Sequence, residues 1–142
     1  MWGGGTTEYA LDALDAAVKG SHYTCPVNAD EFLPMIHISD LISGMLLLME
    51  APEDRIPSAC RGVAMAGFSF TPAILFDEIK KYYPSFSYSY DDKSNPSIAL
   101  FSKTWPDTLS PVEAQECLGF TASKLLGDTM KNVIEGHVNR MS

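Results

Sequence analysis

Helical and extended patterns alternate along almost the whole chain, and this alternation constrains the fold more than any other feature of the sequence. A first helix is predicted from Thr7 to Lys19, where apolar residues recur at helical spacing and Gly20 supplies a stop. The clearest strand is Phe86 to Tyr90, in which aromatic residues alternate with serine. We therefore predict an α/β fold, with a small mixed sheet and flanking helices.

The most apolar segment, Leu41 to Met49, predicts a deeply buried helix, because large apolar residues cover nearly its whole circumference. Ser39 is the predicted N-cap of this helix, and Ala51 and Pro52 end it. Extended segments are predicted on either side of it, at His22–Cys25, Leu33–Ile38 and Arg61–Met65.

Proline and serine or threonine mark the helix starts in the second half of the chain. Thr71-Pro72 predicts a helix that turns Ile74, Leu75, Ile79 and Tyr82 inward, with the aromatic strand lying against it. Ser110-Pro111 predicts a short helix that ends at Gly119, and a last amphipathic helix follows. No linker is evident, so residues 1–142 are predicted to form a single domain.

Composition excludes several classes of function. The chain has 142 residues and a net charge of −8, which argues against nucleic acid or an anionic membrane as partner. Its longest apolar run is far too short to span a bilayer, and the N-terminus lacks the pattern of a signal peptide. Its three cysteines, Cys25, Cys60 and Cys117, are widely spaced, which indicates reduced thiols, most simply buried as small apolar residues. These features predict a cytoplasmic protein.

Familiar catalytic motifs are missing from the sequence. It has no glycine-rich dinucleotide fingerprint, no P-loop and no Tyr-x-x-x-Lys pair. The three histidines have no metal-ligand spacing, so no metal site is predicted. His37 can either face a cleft or be a satisfied structural histidine.

Two segments are candidates for ligand binding. Gly3-Gly4-Gly5 runs through Thr6 and Glu8 into the first helix, an arrangement that can present backbone N–H groups and hydroxyls to a small polar ligand. The same pattern also fits a helix cap behind a flexible terminus. Trp105, fixed by Pro106, can act as a lid over a ligand or simply seal the core.

Several of these segments together resemble one enzyme family. Their order and composition are similar to the C-terminal part of L-threonine 3-dehydrogenases of the short-chain, epimerase-like type. The similarity is collinear from about Gly3 to Trp105 and looser to Phe120. It rests on Gly3-Gly4-Gly5-Thr6-Thr7-Glu8-Tyr9-Ala10, Tyr23-Thr24-Cys25, Leu33-Pro34-Met35-Ile36, Leu48-Met49-Glu50-Ala51-Pro52, Phe70-Thr71-Pro72, Glu78-Ile79-Lys80-Lys81 and Trp105-Pro106.

The resemblance implies the substrate-binding lobe of an extended Rossmann enzyme that oxidises L-threonine with NAD to 2-amino-3-ketobutyrate. Gly5, Thr6, Glu8 and Trp105 fall at positions that would hold the substrate. The nucleotide-binding half, with the catalytic Tyr and Lys, would precede Gly3, so the chain is expected to bind no NAD alone and to carry no catalytic residue. A eukaryotic parent would imply a mitochondrial location.

The chain departs from the family pattern at several positions. Glu8 replaces an Asp, His37 replaces a Tyr, and Arg61-Gly62-Val63 replaces a Tyr-Asn-Val strand. The family's Asp-Trp-Gly-Trp motif corresponds here to Glu116-Cys117-Leu118-Gly119-Phe120. These departures put the transfer of the family's site to this chain in question.

Three functions remain open at this stage. The chain can be a substrate-binding lobe for an L-threonine-like small molecule. It can instead be a non-catalytic binding or regulatory module that pairs with an intact dehydrogenase, as a homo- or hetero-oligomer. It can also be a degenerate product without function.

Overall fold

The computed structural model describes residue 5 and residues 7–56 and 62–141, with side chains through residue 136. Six helices, four short strands and one 3₁₀ turn occur in this part of the chain. In chain order they are α1 (Tyr9–Lys19), β1 (Tyr23–Cys25), β2 (Leu33–Met35), α2 (Ile38–Glu50), the 3₁₀ turn (Glu53–Arg55), β3 (Phe68–Phe70), α3 (Pro72–Tyr82), β4 (Tyr88–Tyr90), α4 (Pro96–Ser102), α5 (Val112–Leu118) and α6 (Leu126–Met141). The predicted α/β class is confirmed.

The chain divides into two compact units. The first comprises Met1–Leu33 and Phe70–Asp107, and the second comprises Pro34–Ser69 and Thr108–Ser142. Strands β1 and β4 pair in parallel within the first unit, with Tyr23 opposite Tyr88. Strands β2 and β3 form another two-stranded sheet.

Phe76 on α3 is the centre of the first unit. Its side chain is fully buried, and its ring meets those of Phe86, Tyr88 and Tyr90 at centroid distances of 5.7, 4.5 and 5.8 Å. The aromatic strand therefore lies on the helix that begins after Thr71, as its alternation predicted. Aromatic pairs at these distances add specific attraction to the burial of their area.

The predicted helix boundaries are largely confirmed in the first unit. Gly20 ends α1 in the left-handed conformation, with φ of 64°. The Thr71 side chain caps α3 by accepting a hydrogen bond from the Ile74 N–H at 3.3 Å. The predicted inward face of α3 is confirmed for Leu75 and Ile79, which are buried. It is wrong for Ile74 and Tyr82, which are exposed.

The second unit is held together around α2. The buried Asp40 in its first turn accepts hydrogen bonds from the backbone N–H groups of Ser123 and Lys124, at 2.9 and 2.8 Å. Gly44, one turn further along, lets α2 approach the side chains of Met65 and Phe120 closely. A Cβ on Gly44 would collide with the Met65 side chain and lie 3.2 Å from the Phe120 ring.

The prediction that α2 is deeply buried was wrong. Only Asp40 and Gly44 are buried along this helix, and most of its large apolar side chains are exposed. Apolar residues around a helix show which surfaces could be buried, but burial also requires a neighbouring element on each side. The rest of the described chain covers one side of α2 only.

Two further predictions need correction, and one helix was not predicted. His37, not Ser39, is the N-cap of α2, because its Nδ1 accepts a hydrogen bond from the Ser39 N–H. Gly62–Met65, the described part of the strand predicted from Arg61, is irregular, and the strand β3 lies further along. Helix α4 was not foreseen. Asn95 caps it and Pro96 begins it, a start that could have been read from the sequence.

Gly67 allows the tightest backbone approach in the second unit. A Cβ on Gly67 would collide with the Met35 carbonyl and lie 2.7 Å from the Ile36 Cα. We expect Gly67→Ala to lower the free energy of unfolding by about 2 kcal/mol, since backbone atoms must move. Gly136→Ala is the control, because a Cβ at residue 136 would lie in open space and alanine favours a helix. Urea denaturation measures both variants, and equal stability of Gly67→Ala and the wild type would contradict the prediction.

Candidate functional site

Glu8 is the N-cap residue of α1, but its carboxylate does not cap the helix. The residue has helical backbone angles, and its side chain makes no capping hydrogen bond among the described residues. Its carbonyl accepts from the N–H groups of Leu11 and Asp12, both at 2.9 Å. A carboxylate at a helix N-terminus is in a favourable place. Among the described residues, no capping hydrogen bond engages this one.

Gly5 lies directly beside this carboxylate. The Glu8 N–H donates to the Gly5 carbonyl at 3.3 Å, and a Cβ built on Gly5 would lie 3.5 Å from Glu8 Oε1. Gly5 itself is exposed, whereas Glu8 is half-buried. A side chain at residue 5 would therefore lie in ordinary contact with the carboxylate. Thr6, the other residue predicted in this loop, lies outside the described residues.

Trp105 reaches the same region through Tyr9. The two rings stack at a centroid distance of 6.2 Å with an angle of 15° between their planes. Tyr9 follows Glu8 directly in α1, and Trp105 comes from the segment after α4. The structure therefore brings three of the four predicted site residues into one part of the first unit: Gly5, Glu8 and Trp105.

Tyr9 is the residue of this region whose role sequence reasoning missed. Its side chain is only 1% exposed, and its hydroxyl has no hydrogen-bond partner among the described residues. Burial, together with nearby Cys25 and Tyr90, raises the pKa of Tyr9. The position of Tyr9 on the inner side of α1 was the available signal, since Ala13 and Leu14 on the same helix are also buried.

Cys25 is buried in the same region, and its thiol is expected to be unreactive. The thiol is fully buried, and burial raises the pKa of Cys25 to about 11 despite hydrogen bonds that lower it. A thiol in that state is a weak nucleophile at neutral pH. Cys25 is therefore a small core residue, as predicted. Cys117 is half-buried, and Cys60 lies outside the described residues.

The histidines with described side chains make structural hydrogen bonds. His37 caps α2, and its Nε2 lies 3.1 Å from Asn132 Nδ2. His22 lies between two hydroxyls of the aromatic strand, with its ring nitrogens 3.1 Å from Ser87 Oγ and 3.0 Å from Ser89 Oγ. Of the two alternatives for His37, the structure thus shows the satisfied structural role.

Other kinds of site are not evident in the described residues. They contain no group of three histidine, cysteine or acidic side chains that could hold a metal ion. None of the described helices is long and apolar enough to cross a membrane. A surface cleft of about 300 Å³ lies beside α4, but none of the predicted site residues lines it; its lining residues are Asp92, Lys93, Pro96, Ala99, Leu100 and Lys103.

The connections from β2 to α2 and from β3 to α3 lack the form of a dinucleotide cradle. A dinucleotide cradle needs a glycine-rich turn from a strand into a helix whose first N–H groups are free for the pyrophosphate. Here α3 follows β3 through Thr71 and Pro72, and the Thr71 hydroxyl already occupies the Ile74 N–H. Helix α2 follows β2 through His37, which caps it.

Comparison with known proteins gives a consistent set of relatives. No protein-family model matches the chain. An uncharacterized epimerase/dehydratase of Staphylococcus epidermidis is 36% identical over 135 residues, which are 94% of this chain and 41% of the relative. The chain thus spans about two fifths of the length of the curated relatives that it matches.

Two solved structures that share this fold are L-threonine dehydrogenases. The GalE-like L-threonine dehydrogenase from Cupriavidus necator in its apo form is 36% identical with a TM-score of 0.82, covering 94% of this chain and 47% of that one. L-threonine dehydrogenase from Phytophthora infestans is 28% identical with a TM-score of 0.84, covering 99% of this chain and 44% of that one. The chain is therefore a relative of the epimerase/dehydratases and L-threonine 3-dehydrogenases that its motifs resemble, and it corresponds to less than half of such a protein.

Proposed function

We propose that this chain is the substrate-binding lobe of an NAD-dependent L-threonine 3-dehydrogenase and does not transfer hydride by itself. The observation that carries the proposal is the stacking of Trp105 on Tyr9, the residue that follows Glu8 in the sequence. It joins Trp105, which the family resemblance assigns to substrate binding, to a residue of α1 that is adjacent in sequence to Glu8, another position so assigned. The similarity over 94% of the chain to a solved L-threonine dehydrogenase supports the same function.

Each candidate residue has a chemical part in this proposal. The Glu8 carboxylate would accept hydrogen bonds from the ammonium group of the amino acid, a strong charge-assisted contact. Gly5 would let the substrate approach the backbone, and the Thr6 hydroxyl would bond to one of its polar groups. Trp105 would cover the substrate's methyl group with an apolar face.

The proposed function predicts that L-threonine binds the purified chain. Trp105 and Trp2 are its two tryptophans, so a Trp2→Phe background isolates the fluorescence of Trp105. In that background we expect saturable quenching by L-threonine. Glu8→Gln should weaken binding by about tenfold or more, because a hydrogen bond to a charged group contributes about 1.5 kcal/mol or more. Glu135→Gln, an exposed change on α6, should leave binding unchanged.

Two results would contradict the proposed function. One is the absence of any saturable response in a chain that melts cooperatively, and the other is equal affinity of Glu8→Gln and the wild type. NADH formation from threonine and NAD by the chain alone would contradict only the second clause, that it does not transfer hydride by itself. We expect no NADH, because the described residues offer no dinucleotide cradle.

A further inference from the structure

The cleft beside α4 has both the size and the lining of a small binding site. Its volume of about 300 Å³ is at the lower end of the range for small-molecule pockets, which is about 300–1,000 Å³. All of its lining residues belong to the first unit. We call it the α4 cleft, and its lining residues are Asp92, Lys93, Pro96, Ala99, Leu100 and Lys103.

The apolar part of the α4 cleft lies on one face of the helix. Pro96, Ala99 and Leu100 recur at helical spacing, so their side chains follow one another along that face. Ala99 is buried, whereas Leu100 is 68% exposed. Covering this leucine with an apolar group would remove apolar surface from water, which is favourable. This face would therefore accept the apolar body of a ligand.

Local hydrogen bonds hold the backbone on which the cleft is built. In the turn before α4, the Lys93 N–H donates to the Asp91 carboxylate at 3.0 Å. The Ser94 N–H and hydroxyl both donate to the Asp91 carbonyl, at 3.1 and 2.6 Å. Asn95 then caps the helix by accepting from the Ile98 N–H at 3.3 Å. A ligand would therefore meet a cleft that is already formed, which lowers the entropic cost of binding.

Two lysine side chains at the cleft have no anionic partner. Among the described residues, the ammonium groups of Lys93 and Lys103 make no salt bridge and no hydrogen bond. Lys19 and Lys81, in contrast, each pair with an acid on their own helix. With Asp92 as the only acid in the lining, the cleft carries a net charge of +1 in a chain of net charge −8. The lining is thus a local exception to the acidic character of the protein, and it favours an anion.

We propose that the α4 cleft binds a small organic anion with an apolar body, of the class of the aliphatic carboxylates. The carboxylate would accept charge-assisted hydrogen bonds from Lys93 and Lys103. Its hydrocarbon chain would cover Leu100 and Pro96. No residue of the Glu8 region lines this cleft, so the proposal does not depend on threonine binding.

Titration of hexanoate into the full chain labelled with nitrogen-15 tests this site. We expect saturable shifts of the amide signals in residues 92–103. Hexanamide, which keeps the shape without the charge, and acetate, which lacks the apolar body, should each bind at least about threefold more weakly. Raising the ionic strength to about 1 M should also weaken hexanoate binding, because it shortens the Debye length to about 3 Å.

Charge variants assign the binding to particular side chains. Lys93→Gln and Lys103→Gln should each weaken hexanoate binding by about threefold, the modest effect of an exposed charge pair. Asp92→Asn should strengthen it by about twofold, because it removes a repelling charge. Lys131→Gln is the matched control: it makes the same change of charge at an exposed position on α6 and should leave binding unchanged. The four residues are exposed, so the variants should keep the thermal melt of the wild type.

Four results would overturn the proposal. They are the absence of saturable binding, shifts confined to residues outside 92–103, equal affinities for hexanoate and hexanamide, and unchanged affinity when Lys93→Gln and Lys103→Gln are combined. Weaker hexanoate binding by Asp92→Asn would also contradict it, because an acid that assists binding implies a ligand with a cationic group. Glu8→Gln should leave hexanoate binding unchanged, which keeps this test separate from that of the proposed function.

Discussion

Phe76→Ala is expected to lower the free energy of unfolding by about 4 kcal/mol, the largest effect of any single change considered for this protein. The Phe76 side chain is fully buried, and its ring contacts those of Tyr23, Phe86, Tyr88 and Tyr90. Truncation removes the transfer free energy of the ring and leaves a cavity that the surrounding aromatic side chains can fill only in part. Urea denaturation followed by tyrosine fluorescence and circular dichroism measures the loss.

Phe101→Ala is the matched control for this experiment. Phe101 lies on α4 and is 54% exposed, so the same truncation should cost less than about 1 kcal/mol. Similar losses for the two variants would contradict a core centred on Phe76. Phe76→Leu, which keeps much of the volume, should lose less than Phe76→Ala.

Asp40→Ala is expected to lower the free energy of unfolding by about 3 kcal/mol. The carboxylate accepts three hydrogen bonds from Ser123 and Lys124, at 2.8 to 3.0 Å, and the residue is 7% exposed. Its removal leaves two backbone N–H groups without their acceptor, and a hydrogen bond to a charged group contributes about 1.5–3 kcal/mol. Asp12→Asn is the control, since Asp12 is also in the first turn of a helix but is exposed.

The Asp40 interaction should also make stability depend on pH. Burial acts to raise the pKa of Asp40, but the hydrogen bonds from Lys124 and Ser123 outweigh it and hold the pKa below its ordinary value of 3.8. Because the folded state binds the proton less tightly than the unfolded state, the contribution of Asp40 is fully present above that value. It is lost as the pH falls below 3.8 and through the folded-state pKa.

Urea denaturation at several pH values between neutrality and the acid range measures this dependence. We expect the wild type to lose more stability than Asp40→Asn as the medium is acidified, because the asparagine does not titrate. Parallel curves for the two proteins would contradict a stabilising charge at this position.

Local chemistry made many elements predictable from the sequence. Gly20 and Gly119 end helices because they adopt the left-handed conformation at no steric cost, and both have positive φ. The Thr71-Pro72 start was predictable because the proline lacks an N–H that the first turn does not need. The alternation of aromatic residues with serine predicted both a strand and a face that packs on α3.

The candidate site could be proposed from the sequence only through the family resemblance. Glycines, a carboxylate and a tryptophan are compatible with many roles, and nothing in their spacing joins Glu8 to Trp105 across almost a hundred intervening residues. The structure links Trp105 to α1 through Tyr9, whose burial and stacking follow from the packing of that helix. Similarly, Asp40 has the sequence pattern of an ordinary first-turn acid, and its partners lie far along the chain.

The sequence by itself determined the α/β class, most of the helix ends and the kinship with L-threonine 3-dehydrogenases. These depend on local backbone preferences and on residue order, which are properties of short segments. Only the tertiary structure decided that α2 is half exposed and that Tyr9 carries the ring of Trp105. Periodicity shows which faces of an element are apolar, but which of those faces is buried depends on the elements that surround it.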